Sequence, residues 1–99
     1  MILAHKLKYK YHRMKTTKAY KIILADDHIL LRDALAKLID GFNEFMVIAK
    51  AADGSEVIKA IEDGKLADIV LMDLNMPKMD GYETAKLVAK LSPQIKIVI

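Results

Sequence analysis

The chain has 99 residues and a mass of 11.1 kDa, which limits it to one small domain. It is 54% hydrophobic and 29% charged and contains no cysteine, so disulfide scaffolds, thiol catalysis, cysteine-held metals and wholesale disorder are excluded. No apolar run approaches the roughly 18 residues of a membrane span, and we expect no membrane partner.

The positive net charge is concentrated at one end of the chain. Residues 1–21 carry seven basic and no acidic side chains, whereas residues 22–99 carry nine basic and thirteen acidic ones, for a total of +3. We therefore divide the chain into a basic N-terminal arm, 1–20, and an acidic body, 21–99. The basic composition predicts nucleic-acid binding, if any, for the arm and not for the body.

The arm permits two interpretations. Apolar and basic or histidine side chains alternate over residues 7–12, which is a strand period, and lysines interleaved with tyrosines also suit phosphate contacts and base stacking. Alternatively, the arm is a disordered or added extension, because Met14 opens a segment that resembles a natural start and residues 1–13 then precede it. Its charges follow its apolar residues, unlike a secretory signal, so we expect a cytoplasmic protein.

The body alternates short apolar runs with segments of helical spacing. Gly41 and Gly64 lie where helices end, and Ser55 is the predicted N-cap of the second helix. The predicted strands cover 21–25, 45–49, 68–72 and 95–99, and the predicted helices cover 29–39, 56–63 and the stretch after Gly81 to about Leu91. The order βαβαβαβ predicts a doubly wound α/β fold, with a parallel sheet between helices.

Acidic residues directly follow two of the predicted strands. Asp26 and Asp27 follow the first strand and Asp73 follows the third. If those strands are neighbours, as in the flavodoxin-like order 2-1-3-4, the three carboxylates converge at the switch point of the sheet. Crowded carboxylates repel one another and become tolerable around a hard divalent cation such as Mg²⁺. The alternative is that an acid after a strand caps the next helix, which Asp27 alone would suggest.

Two segments of the body resemble a known family. They read ILADDHILLRDAL and DIVLMDLNMPKMDGYE, and both resemble the receiver domain of two-component response regulators. The first of them and the segment DGSEVIKAI are most similar to receivers that precede LuxR-type helix-turn-helix domains. The resemblance covers residues 21–99 and implies a phosphoacceptor in phosphorelay signalling, within a DNA-binding transcriptional regulator.

The resemblance implies a role for each residue that matches the family's motifs. Asp73 would accept a phosphoryl group from a sensor histidine kinase or a small phosphodonor, which a carboxylate nucleophile permits. Asp26, Asp27 and Asp73 would hold Mg²⁺, together with the backbone carbonyl of Asn75. A protein of this kind accepts its own phosphoryl group and is not a turnover enzyme.

Other residues of these motifs are expected to have structural roles. Met76 and Pro77 would shape the loop after Asp73, and Asp80 and Gly81 would make the turn into the third helix. We also expect His28 to start the first helix. The prediction for Arg32, one turn further on, is a solvated helix face.

The resemblance also implies an incomplete receiver. A full receiver has a fifth βα unit, with a switch Ser/Thr after the fourth strand and a Lys after the fifth, and the sequence ends on the predicted fourth strand. We expect Ile95, Ile97 and Ile99 to lie along an exposed edge through which copies associate, with residues 7–12 as a candidate partner strand. Alternative functions are an interaction module without phosphotransfer and nucleic-acid contact by the arm. Otherwise DNA binding would belong to an absent C-terminal domain.

Overall fold

A computed structural model describes residues 19–73 and 80–99 of the chain. Its strands and helices alternate as the sequence predicts, although the last strand has three residues and not the predicted five. The arm, apart from residues 19 and 20, lies outside the described residues. In chain order the elements are β1 (Tyr20–Ala25), α1 (Ile29–Asp40), β2 (Phe45–Ala51), α2 (Gly54–Glu62), β3 (Ile69–Met72), α3 (Gly81–Leu91) and β4 (Lys96–Val98).

The four described strands form one parallel sheet in the order β2-β1-β3-β4, which confirms the predicted order. β1 and β3 are therefore neighbours, and hydrogen bonds tie them together at both ends. At one end the Lys21 amide donates to Asp68 Oδ2 over 2.8 Å, and at the other the Asp73 amide donates to the Ala25 carbonyl over 3.1 Å. This pairing brings the residues that follow β1 and β3 to the same rim of the sheet.

The main core lies between one face of the sheet and helices α2 and α3. Ile23 and Val70 of the central strands are fully buried there, against Val57 of α2 and Val88 of α3. Helix α1 packs on the other face, against β1 and β2. The strands are apolar on both faces because helices lie on both sides of the sheet.

Aspartates begin α2 and α3. Asp53 accepts hydrogen bonds from the Glu56 amide at 3.0 Å and from Ser55 Oγ at 2.6 Å, so the predicted N-cap Ser55 is wrong. Asp53 has the extended backbone that an N-cap requires, whereas Ser55 already lies in the first helical turn. Asp80 caps α3 in the same way, because its Oδ1 accepts a hydrogen bond from the Glu83 amide at 2.9 Å.

Glycines follow α1 and α2 where the sequence places them. Gly41 caps α1 in a right-handed conformation that any residue can adopt. Gly64 has a φ of +94° after α2, and this left-handed backbone requires a residue without a Cβ. Of the helices in the described ranges, none combines the length and the apolar character that a membrane crossing needs.

Candidate functional site

Four chemically active side chains meet at the rim where β1 and β3 end. Asp26, Asp27 and His28 follow β1, and Asp73 follows β3. Each of the four offers one ligand atom, and these atoms all lie within 4.8 Å of one another. The structure therefore brings together the three acids that the sequence singles out, and it adds an imidazole to them.

The cluster opens from a buried base to the solvent. Asp26 is buried, with 6% of its surface exposed, and Asp73 is half-buried. The side chain of Asp27 is 33% exposed and that of His28 is 69% exposed. Any ligand of the deeper carboxylates thus has an open approach from the His28 side.

His28 lies against two carboxylates and can satisfy only one of them. Its backbone amide donates to Asp26 Oδ1 at 2.9 Å, and its Nδ1 lies 3.0 Å from the same oxygen. The same Nδ1 lies 3.1 Å from Asp27 Oδ1. Because Nδ1 can carry only one proton, it can donate to only one of the two carboxylates, and the buried Oδ1 of Asp27 has no hydrogen-bond partner among the described residues.

That oxygen is the observation that fits a cation. A buried carboxylate oxygen without a donor is unfavourable unless a positive charge satisfies it. Three carboxylates supply the hard oxygen donors that Mg²⁺ selects, whereas an imidazole suits softer metals. The donor set around Asp27 Oδ1 therefore fits a hard divalent cation.

Asp26 is held in its charged form by its neighbours. Burial raises the pKa of this carboxyl, but the hydrogen bonds from the His28 amide and ring, with the charges of His28 and Arg32, outweigh burial. The pKa of Asp26 consequently lies below its ordinary value. The base of the cluster is anionic at neutral pH and available to a cation.

Arg32 is a second residue that sequence analysis places incorrectly. Its Nη1 donates to the backbone carbonyl of Asp26 over 3.2 Å, and its Nε is buried, so the prediction of a solvated helix face is wrong. The sequence does carry a signal for this placement. Arg32 lies one helical turn before Ala36, the buried residue of α1, and therefore on the same face of the helix. The guanidinium is tied to the loop that carries the acids.

Three of the predicted site residues lie outside the described residues, namely Asn75, Met76 and Pro77. Asp80 and Gly81, which follow that segment, are described. They form the start of α3, with Asp80 exposed as its N-cap and Gly81 buried. His28 is likewise the N-cap residue of α1, without a side-chain capping hydrogen bond.

We expect His28 to titrate above the ordinary histidine pKa of about 6.5. The hydrogen bond to Asp26, and then the charges of Asp27, Asp26 and Asp73, raise its pKa. This interaction stabilises the fold fully below about pH 6.5, and the stabilisation is lost as pH rises through the folded-state pKa. An NMR titration of the His28 ring measures the value, with His28→Gln identifying its signal among the three histidines.

Two changes should lower that pKa towards the ordinary value. Asp26→Asn removes the hydrogen-bonding carboxylate, and saturating Mg²⁺ neutralises the carboxylates around the ring. Asp63→Asn, an exposed acid just after α2, serves as the control and should leave the titration unchanged. A His28 titration that ignores both Asp26→Asn and Mg²⁺ would contradict the described cluster.

Comparison with known proteins places most of the chain in a family. The family described as the response regulator receiver domain matches residues 22–99. The uncharacterized transcriptional regulatory protein YhcZ of Bacillus subtilis is 38% identical over 80% of this chain and 36% of its own length. A protein-glutamate methylesterase/protein-glutamine glutaminase of Geobacter sulfurreducens is 39% identical over 80% of this chain and 21% of its own length.

A solved structure shows the same architecture. The LuxR-family two-component response regulator from Aurantimonas superposes with a TM-score of 0.74 and 30% identity, covering 81% of this chain and 56% of that one. The chain thus spans little more than a third of the transcriptional regulator and about a fifth of the methylesterase. The matched region is common to proteins with different remaining parts.

Proposed function

The chain belongs to the response regulator receiver domain family, and from this premise we propose that it is a phosphoacceptor in which Asp73 receives the phosphoryl group. The convergence of Asp26, Asp27 and Asp73 at one rim supports this proposal above all. Asp73 is half-buried at the end of a central strand, with its backbone amide fixed to Ala25. A nucleophile needs such a fixed position, since phosphoryl transfer depends on alignment and on charge neutralisation.

The chemistry is a displacement at phosphorus. A carboxylate oxygen of Asp73 forms a P–O bond while the P–N bond of a phosphohistidine, or the P–O bond of a small acyl phosphate, breaks. The leaving imidazole or carboxylate keeps the bonding electrons, and the product is an acyl phosphate on Asp73. Asp26 and Asp27 would hold Mg²⁺ with Asp73, and the bound ion neutralises charge on the transferring group.

Removal of one acid should weaken Mg²⁺ binding. We expect Asp27→Asn to reduce the affinity for Mg²⁺ by about 10- to 100-fold or more, because the Oδ1 that has no hydrogen-bond donor loses its negative charge. A loss of this size already follows when a residue that only supports a metal ligand is removed. Calorimetry or competition with a fluorescent indicator measures the dissociation constant. The matched control, Asp63→Asn, removes an acid away from the cluster and should bind as the wild type does. Equal affinities of the two variants would exclude Asp27 as a ligand.

The direct test of the function uses the unmodified chain. With Mg²⁺ and acetyl phosphate, the intact mass should rise by one phosphoryl group, and chelation of Mg²⁺ should prevent the rise. Beryllofluoride with Mg²⁺ should give a saturable complex under the same conditions. No mass increase and no complex in the wild type would overturn the proposal.

The wider assignments rest on the relatives. We propose a sensor histidine kinase as phosphodonor, a cytoplasmic location, and DNA binding through a C-terminal domain, because the chain is similar to a two-component response regulator of the LuxR family. We also propose that β4 associates with a second copy, since it is the last strand of the described sheet and one of its sides is unpaired. Accepting a phosphoryl group in this way does not make the chain a turnover enzyme.

A further inference from the structure

His28 is the one residue of the four-membered rim cluster that is not an acid. Its side chain lies at the open side of the cluster and is 69% exposed, whereas Asp26 lies buried at the base. It begins α1 through its backbone, whose carbonyl accepts the Arg32 amide at 2.8 Å, and its side chain makes no capping hydrogen bond. The imidazole therefore serves the cluster and not the start of the helix.

One nitrogen of the ring is turned towards the acids. Nδ1 of His28 lies 3.0 Å from Asp26 Oδ1 and 3.1 Å from Asp27 Oδ1. The backbone holds the residue in this place, because the His28 amide donates to Asp26 Oδ1 at 2.9 Å. Asp73 completes the set, in which one ligand atom from each residue lies within 4.8 Å of all the others. The ring nitrogen thus shares the space of the carboxylate oxygens.

These separations resemble those around a single small cation. In an octahedron with bonds of about 2.1 Å, adjacent ligand atoms lie about 3.0 Å apart and opposite ligand atoms about 4.2 Å apart. The two distances from Nδ1 to carboxylate oxygens equal the adjacent separation. The 4.8 Å span of the whole set exceeds the opposite separation only slightly, which small side-chain rotations remove.

Hydrogen bonding alone accounts for part of this arrangement. Nδ1 carries at most one proton and so donates to only one of its two neighbouring oxygens. The buried Oδ1 of Asp27, for which no hydrogen-bond partner is found among the described residues, nevertheless lies 3.1 Å from the ring nitrogen. One nitrogen beside two carboxylate oxygens at these separations is the arrangement that a shared cation produces.

We propose that His28 is a ligand that shifts the cation preference of this site from Mg²⁺ towards transition cations that accept imidazole, such as Ni²⁺ and Zn²⁺. The inference rests on the proposed function, because it takes the acidic cluster as the cation site. Mg²⁺ prefers oxygen ligands and keeps several of its waters, so a ring nitrogen adds little to its affinity. Ni²⁺ and Zn²⁺ bind imidazole well and bind mixed nitrogen and oxygen sites tightly.

Ligation requires the exchange of a proton for the cation at Nδ1. The nitrogen presents its lone pair to the cation, its proton passes to solvent, and Nε2 keeps the proton of the neutral ring. The exposed side of the ring gives the Nε2 proton a water partner. With Mg²⁺ in the site, the exposed side chain has room to turn to solvent, and a water takes the same position on the ion.

Cation affinities of a His28→Gln variant test the proposal. Gln keeps a hydrogen-bond donor for the neighbouring carboxylate but lacks the imidazole nitrogen. Because the arm contains two further histidines, the full-length parent carries His5→Gln and His12→Gln, which leaves His28 as its only histidine. In calorimetric titrations, the added His28→Gln change should weaken Ni²⁺ binding by about 10- to 100-fold or more. It should leave Mg²⁺ binding nearly unchanged.

The other outcomes of these titrations contradict the proposal. Unchanged affinity for Ni²⁺ would exclude the ring as a ligand, and equal losses for both cations would make it a support for the carboxylates without an effect on selectivity. Either result, in a parent that binds Mg²⁺ and is phosphorylated by acetyl phosphate, would overturn this inference and leave the proposed function intact. A parent that binds neither cation would overturn both.

A spectroscopic signature identifies the ligand directly. Octahedral Ni²⁺ is paramagnetic, so the ring protons of a coordinated imidazole should show large hyperfine shifts in the NMR spectrum, including the exchangeable proton on Nε2. The parent with His28 as its only histidine should give one such set of signals at saturating Ni²⁺, and the His28→Gln variant should give none. A parent without hyperfine-shifted imidazole signals at saturating Ni²⁺ would show that the ring does not bind the cation.

Discussion

Asp73→Asn should abolish phosphoryl transfer to the chain. The substitution keeps the size and most hydrogen-bonding capacity of the side chain but removes the nucleophilic carboxylate, so no acyl phosphate can form. Intact-mass spectrometry after incubation with Mg²⁺ and acetyl phosphate should detect one added phosphoryl group on the wild type and none on the variant. The effect is a complete loss and not a reduction, because Asn cannot replace the attacking oxygen.

The control for this experiment separates chemistry from folding. Asp63→Asn changes the same side chain at a position after α2, away from the rim, and should be phosphorylated as the wild type is. Circular dichroism should show that both variants are folded. Persistent phosphorylation of Asp73→Asn would place the acceptor on a different residue, which peptide mapping would then identify.

The largest expected effect on stability is at Leu24. Leu24→Ala should lower the free energy of unfolding by about 2–5 kcal/mol, because the side chain is 2% exposed in the central strand and its removal leaves a cavity under α1. The matched control, Leu66→Ala, makes the same change at a side chain that is 75% exposed and should stay within about 0.5 kcal/mol. Denaturant unfolding at one fixed protein concentration measures both.

The same comparison tests the arrangement of layers. Leu24 faces α1, so a large loss at this position requires that the helix lies on the strand in solution. Equal and small losses at Leu24 and Leu66 would mean that α1 does not cover β1.

The order of the strands and helices was predictable because the spacing of apolar residues differs between the two kinds of element. Apolar runs that end at acids or turns indicate buried strands, and the apolar spacing between them indicates helices. The approach of Asp73 to Asp26 and Asp27 follows only if β1 and β3 are neighbours, which the winding of a flavodoxin-like sheet supplies. The sequence and this one topological premise thus lead to the acidic cluster.

The two errors, at Ser55 and Arg32, both depend on where backbone groups lie in the folded chain. Ser55 and Asp53 both suit an N-cap, and the choice depends on which residue has the extended backbone, a property that composition does not carry. Arg32 binds the carbonyl of Asp26, and a backbone carbonyl leaves no mark in the sequence. A charged residue is by default assigned to solvent, so its place beside the site was missed.

The exposure of the apolar residues was predicted less well, for a different reason. The sequence predicts an apolar edge at 95–99, but in the structure Ile95 is buried and Ile97 faces the core. Exposed apolar side chains also lie on α1, at Leu30, Leu31 and Leu38, where an apolar residue had served only as evidence for the helix. Periodicity identifies which side of a helix is apolar, but it does not identify which layer lies against that side.

The clamping of β1 to β3 at both ends has a consequence for the entropy of ligand binding. The Lys21–Asp68 contact at one end and the Asp73–Ala25 contact at the other hold the two strands in fixed register before any ion arrives. The repulsion among the carboxylates consequently lowers the stability of the fold itself. Little conformational entropy of the chain remains to be lost when a ligand binds. A cation bound by the cluster would therefore meet a preorganised site, and its main cost of binding would be the loss of its own hydration shell.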